Sequence, residues 1–173
     1  YFTENDGFKC CVGDLQTLRQ LISEKYGDYP YVLLGHSMGS FIARAYITKY
    51  GSWIDGAVLS GTAYGNTKFL GTQLLLIDKY KFKEGDKAVV ERLNDIAFSN
   101  YNSRIDNPES VHEWLTRDEM VVEKYDNDEL CNYIFTVNGF ENLAKMKAYV
   151  SDERWYDSIN KDFPVYLVSG RED

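Results

Sequence analysis

The chain has 173 residues, 44% of them hydrophobic and 15% aromatic, enough for one domain with a sizeable core and too apolar for a disordered segment. Its 27 acidic and 19 basic side chains leave a formal net charge of −8. That balance argues against duplex nucleic acid, where phosphates need clustered cations, and against stable attachment to anionic lipid. No apolar run approaches the roughly 20 residues of a membrane helix.

In chain order, Asp14 is placed to cap a helix running to about Tyr26, with Leu15, Leu18, Leu21 and Ile22 on one face and Gly27 as its stop. Pro30 leads into a short apolar run over 31–34, followed by similar runs over 57–60 and 165–168. Each is rich in aliphatic or aromatic residues without polar alternation, the pattern of a buried parallel strand. A helix from Met38 or Gly39 to Tyr50 separates the first pair; Phe41, Ile42, Ala45, Tyr46 and Ile47 cover much of its circumference, so it should be largely buried. The fold class expected is α/β, a parallel sheet flanked by helices.

Between about residues 64 and 155 strand-like runs become rare. Val89, Leu93, Ile96 and Ala97 mark one amphipathic helix, and Leu143, Met146 and Val150 another. Asp106-Asn107-Pro108 and Val137-Asn138-Gly139 have turn composition. The expected organisation is a core over 1–63, a helical insertion over 64–155, and a return to the core over 156–173.

Gly35-His36-Ser37-Met38-Gly39 lies between the first strand and the second helix, a G-x-S-x-G in strand–turn–helix context. Such a turn is sharp enough to strain the backbone at Ser37 and to lift its hydroxyl clear of the sheet. Side chains at Gly35 and Gly39 are expected to collide with the neighbouring strand and helix. The helix beginning just after Ser37 aims the Met38 N–H at the space where a carbonyl oxygen would gain negative charge. His36 adjoins Ser37 but diverges from it on such a turn, and is expected to pack beside the strand end. His112, the other of the two histidines, has the surroundings of a surface or turn residue. Cys10, Cys11 and Cys131 are odd in number and lack ligand spacing. Reduced thiols, a cytoplasmic protein, and no metal or cofactor are therefore expected.

On these residues the chain resembles the α/β-hydrolase superfamily, and within it the monoacylglycerol lipase and lysophospholipase branch of serine aminopeptidase-type hydrolases. The elbow Gly-His-Ser-Met-Gly is common in that branch, and the likeness runs the whole length of the chain. Trp114-Leu115-Thr116-Arg117-Asp118, followed by Lys124-Tyr125, Asp128 and Leu130-Cys131, is similar to the lid of bacterial members. The end of the chain, from Phe163 to Asp173, resembles the strand and turn that deliver the acid of the triad. The resemblance implies a partial α/β-hydrolase fold with a helical lid insertion, Ser37 as nucleophile, Met38 as an oxyanion-hole donor and Asp173 as the acid that orients the base. It implies hydrolysis of a small-molecule acyl ester of lipid type through an acyl-enzyme, with at most transient contact with a membrane surface and no nucleic-acid partner.

The branch places its catalytic histidine after the acid and its second oxyanion donor in an early His-Gly loop. Neither is found between Tyr1 and Asp173, so the chain is expected to be an internal fragment, inactive by itself. Phe69, Leu70, Leu74, Leu75 and Ile77 could line an acyl pocket or simply pack on the core. Two other functions remain open: an aminopeptidase, in which Glu109, Glu113, Asp118 and Glu119 attract an α-amino group, and a non-catalytic hydrolase-like binding module.

Overall fold

A computed structural model describes residues 1–98 and 100–171. Within them the chain divides into two units: residues 2–79 with 141–173, and residues 80–140 with Tyr1.

In the first unit, α1 (Gly7–Tyr26) leads into β1 (Val32–His36), α2 (Met38–Tyr50) and β2 (Gly56–Ser60), and β3 (Val165–Val168) completes a parallel sheet of order β1-β2-β3. Leu33 of β1, Ala57 and Leu59 of β2, Val12 of α1, and Ala43, Ala45, Tyr46 and Ile47 of α2 form one buried cluster. Both helices therefore cover the same face of the sheet.

Within the described residues this cover is one-sided, and the strands expected to be buried differ in how much of each is covered. β2, in the centre, keeps Ala57 and Leu59 buried, but β1 alternates, with Leu33 and Gly35 buried and Val32 and Leu34 exposed. All residues of β3 are exposed. An aliphatic run specifies strand, but its burial depends on what covers each face.

α1 also departs from expectation. It starts at Gly7, a full two turns before Asp14, after Asp6 in a left-handed conformation (φ 50°, ψ 39°). The Phe8 N–H, one of the donors that a helix start leaves unpaired, donates to Asn142 Oδ1 at 2.8 Å. Its partner lies more than a hundred residues away, so no local signal announces it. The inward face also differs: Val12, Gln16 and Arg19 are buried, whereas Leu18 and Leu21 are exposed. Gln16 and Arg19 turn inward because each has a partner there. Tyr46 Oη donates to Gln16 Oε1 at 2.7 Å, and Arg19 Nε donates to the Trp53 carbonyl at 2.8 Å while its guanidinium stacks on Tyr31.

After β2 the chain passes Thr62 and Ala63 into α3 (Thr67–Glu84), whose first turn is capped by Asn66 Oδ1 receiving the N–H groups of Lys68 and Phe69. Leu70 and Ile77 of α3 are buried, whereas Phe69 and Leu75 are exposed. These apolar residues thus divide between two faces of the helix.

The second unit contains α4 (Glu91–Phe98) and α5 (Glu119–Asp126), the latter capped by Asp118. Val89 lies outside α4, in an isolated bridge to Thr136. Val137-Asn138-Gly139, expected as a turn, instead opens α6 (Val137–Ser151). Its first N–H groups are satisfied from outside the helix: Val137 and Asn138 donate to the carbonyls of Ala88 and Asp86, and Gly139 to Thr136 Oγ1. A favourable cap overrides turn-forming composition.

Candidate active site

β1 ends at His36 and α2 begins at Met38, so a single residue makes the turn. Ser37 has φ 50° and ψ −121°, a region that non-glycine residues rarely occupy and that costs about 1–3 kcal/mol. The backbone is gripped on both sides. The Ser37 N–H donates to the Ser60 carbonyl at the end of β2 at 2.9 Å, and its own carbonyl accepts from the Ser40 N–H at 2.9 Å and from Ser40 Oγ at 2.5 Å. The Ser37 side chain makes no capping bond to the helix it precedes.

The flanking glycines have different reasons. A Cβ on Gly35 would lie 2.5 Å from the Gly39 carbonyl oxygen and 2.9 Å from Ala43 Cβ, so glycine here lets α2 start against the strand. A Cβ on Gly39 would meet nothing within 4 Å, so the collision expected there is not found among the described residues. The close approach is one contact, with Gly35 supplying the missing side chain and Gly39 the backbone.

As the first residue of α2, Met38 has an N–H with no carbonyl a turn back to receive it. Its side chain packs against the cluster of Phe41, Met146 and Val150, which fixes the peptide at the helix start. The helix N-terminus adds a positive end to the same spot.

His36 is exposed rather than packed, and its Nδ1 lies 3.2 Å from Ser60 Oγ. His112, in the second unit, has Nδ1 at 2.5 Å from Asp126 Oδ1, with the Tyr125 ring 4.9 Å away. The Ser110 hydroxyl and His112 hold the Asp126 carboxyl below its usual range, while burial pushes the Tyr125 phenol up. Asp173 lies outside the described residues. Of the acidic residues expected to attract an amine, Glu113 accepts the N–H groups of Glu109 and Ser110, and Asp118 caps α5. Among the described residues no group of three or more His, Cys, Asp and Glu could hold a metal ion, and no helix is long and apolar enough to cross a membrane.

Sequence reasoning alone missed the polar cluster behind the elbow. Ser40 is fully buried and contacts Thr62 Oγ1 at 2.7 Å. Arg44 Nη1 donates to the Ala63 carbonyl at 3.0 Å and, more weakly, to Thr62 Oγ1 at 3.5 Å; Nη2 donates to the Val150 carbonyl at 2.6 Å. The guanidinium lies 4.5 Å above the Trp155 ring, and burial lowers its pKa. One signal was available: an arginine inside an otherwise apolar helix must find several acceptors if it is to be buried.

Comparison with known proteins agrees with the fold. The chain aligns at TM-score 0.79 and 24% identity with a thermostable carboxyl esterase from Bacillus coagulans, covering 90% of this chain and 50% of the esterase. It aligns at 0.80 and 24% with a lipase in its open form, covering 94% and 53%. A monoglyceride lipase from Saccharomyces cerevisiae aligns at 0.59 and 12%, covering 98% and 62%. The chain thus spans about half the length of the first two structures. A search of curated proteins returns no match. The model of a family described as serine aminopeptidase, S33, matches residues 3–173. The chain belongs to that S33 serine aminopeptidase family of α/β hydrolases.

Proposed function

We propose that this protein is a serine hydrolase that cleaves carboxylic esters of monoacylglycerol or lysophospholipid type through an acyl-enzyme, with Ser37 as nucleophile. The observation that carries the reading is the strained Ser37 backbone at the β1–α2 junction, with its side chain not used to cap the helix. Strain held this firmly at a polar residue, in backbone space that glycine occupies without steric penalty, is characteristic of a functional position.

In the proposed reaction a histidine takes the Ser37 hydroxyl proton as Oγ attacks the ester carbonyl. The tetrahedral oxyanion is held by the Met38 N–H and a second donor. Collapse expels the alcohol, which receives the proton, and water then releases the acid by the same steps in reverse. Asp173, shortly after β3 in sequence, is assigned to orient the histidine. In the chain order Ser…Asp…His the base follows the acid, and His36 and His112 both precede Asp173, so we assign the base to neither of them. The segment 64–155 is proposed as a lid over the acyl chain.

The family's description favours a second reading, peptide hydrolysis at an N-terminus. The engagement of Glu113 and Asp118 in backbone hydrogen bonds weighs against an amine-attracting acidic cluster. The test is a substrate panel on the protein as its gene encodes it: a monoacylglycerol, a lysophospholipid and an aminoacyl-arylamide. The proposal expects turnover of at least one ester, lost by a factor of about a thousand or more in Ser37→Ala. Turnover of the arylamide alone would transfer the assignment to the peptidase reading.

A further inference from the structure

The buried cluster behind Ser37 has a direction. Ser40 Oγ carries one proton, and its 2.5 Å contact with the Ser37 carbonyl, which can only accept, uses it. The 2.7 Å contact between Ser40 and Thr62 must then use the Thr62 proton. Thr62 Oγ1 in turn faces Arg44 Nη1, which can only donate. The hydrogen bonds therefore all point one way, from the Arg44 guanidinium through Thr62 and Ser40 to the Ser37 carbonyl.

That carbonyl belongs to the same peptide group as the Met38 N–H. Donors placed on an amide oxygen draw electron density toward it and make the amide N–H a stronger donor, and aligned hydrogen bonds reinforce one another at low dielectric. The relay also pins the carbonyl in place, and so fixes where the N–H points. Arg44 is anchored independently by Ala63, Val150 and Trp155, so its end of the chain is fixed.

Resting on the reading of Ser37 as nucleophile, we propose that Arg44, Thr62 and Ser40 are positioning residues that polarise and orient the Ser37–Met38 peptide, so that its N–H is prepared for the oxyanion. None of the three touches the reacting atoms. The relay acts through the peptide bond and contributes when negative charge develops, so it appears in kcat and not in KM.

Thr62→Val removes the hydroxyl at nearly constant shape, Thr62→Ser keeps it, and Ser40→Ala cuts the relay one link closer to the elbow. In the protein as its gene encodes it, Thr62→Val and Ser40→Ala are expected to lower kcat and the rate of fluorophosphonate labelling by about tenfold, with KM within about twofold. Thr62→Ser should stay within about twofold of wild type in all three. The amide nitrogen resonance of Met38 should move upfield in Thr62→Val and Ser40→Ala and stay in place in Thr62→Ser. A Met38 resonance unmoved in both Thr62→Val and Ser40→Ala, or a loss equal in Thr62→Ser and Thr62→Val, overturns the proposal. If the wild type neither turns over esters nor labels, the hydrolase reading fails, and the Met38 resonance still decides whether the relay polarises the peptide. Should Ser40→Ala unfold, Thr62→Val, on a half-buried side chain, carries the test alone.

Discussion

At φ 50° and ψ −121°, Ser37 occupies backbone space in which glycine would be at ease. Replacing it with glycine releases about 1–3 kcal/mol of strain against about 0.5–1 kcal/mol of added unfolded-chain entropy. Ser37→Gly should therefore raise stability by about 1 kcal/mol while abolishing labelling, measured by denaturant unfolding alongside fluorophosphonate reaction; a destabilised variant would mean that the turn is not strained. Gly35→Ala has the opposite sign. Its Cβ would lie 2.5 Å from backbone at Gly39, a contact that no side-chain rotation relieves, and a loss at or above the roughly 1–3 kcal/mol of core overpacking is expected in the same measurement. Both glycines of the motif are visible in the sequence, but only coordinates show that the close approach lies at Gly35. The Arg44–Thr62–Ser40 relay is harder to read, because its members come from a helix and a loop and its anchor, Val150, from a third segment.

Between elements, α1 and α2 are joined by polar contacts that a count of apolar residues overlooks. Tyr46 is almost wholly buried, and burial pushes its phenol up to about 12. Tyr46→Phe would leave Gln16 buried without its donor and should cost about 1–3 kcal/mol, read from the shift in urea midpoint. The helical face expected from Leu18 and Leu21 is misplaced for this reason: buried partners drew Gln16 and Arg19 inward instead. Similarly, Val137-Asn138-Gly139 is helical because carbonyls from residues 86 and 88 receive its N–H groups, a contact invisible in a local window. α2 and the three strands, by contrast, are legible because their cues are local, an unbroken aliphatic run or a helix closed by glycine.

The second unit offers a test by pH. Asp126, held below its ordinary value of 3.8 first by Ser110 and then by His112, contributes stability that is fully present above that value. The contribution is lost as pH falls through the lowered native pKa. Asp126→Asn should therefore be less stable than wild type near neutrality, and the gap should close in acid, followed by thermal unfolding across the carboxylate range. A gap that persists unchanged in acid would show that the carboxylate charge is not what stabilises this unit.

At the scale of the whole chain, the two units interleave in sequence: the chain leaves the sheet-containing unit after Lys79 and rejoins it at Glu141. The family assignment spans residues 3–173, and solved relatives share the fold at 24% identity. The sequence makes the family legible first through one short motif, whose context can be checked as strand, turn and helix, and then through the segments around Trp114 and Phe163. Which strand faces are covered within these residues is set by α1 and α2 and not by strand composition, since β1, β2 and β3 carry the same aliphatic signature. The account as a whole stands on Ser37 being a reactive hydroxyl, and the most direct test is to treat the protein encoded by the gene with a fluorophosphonate and locate the adduct by peptide mass spectrometry. One adduct, on Ser37 and absent from Ser37→Ala, is the predicted result; no adduct, or one on another residue with Ser37 unmodified, would contradict it.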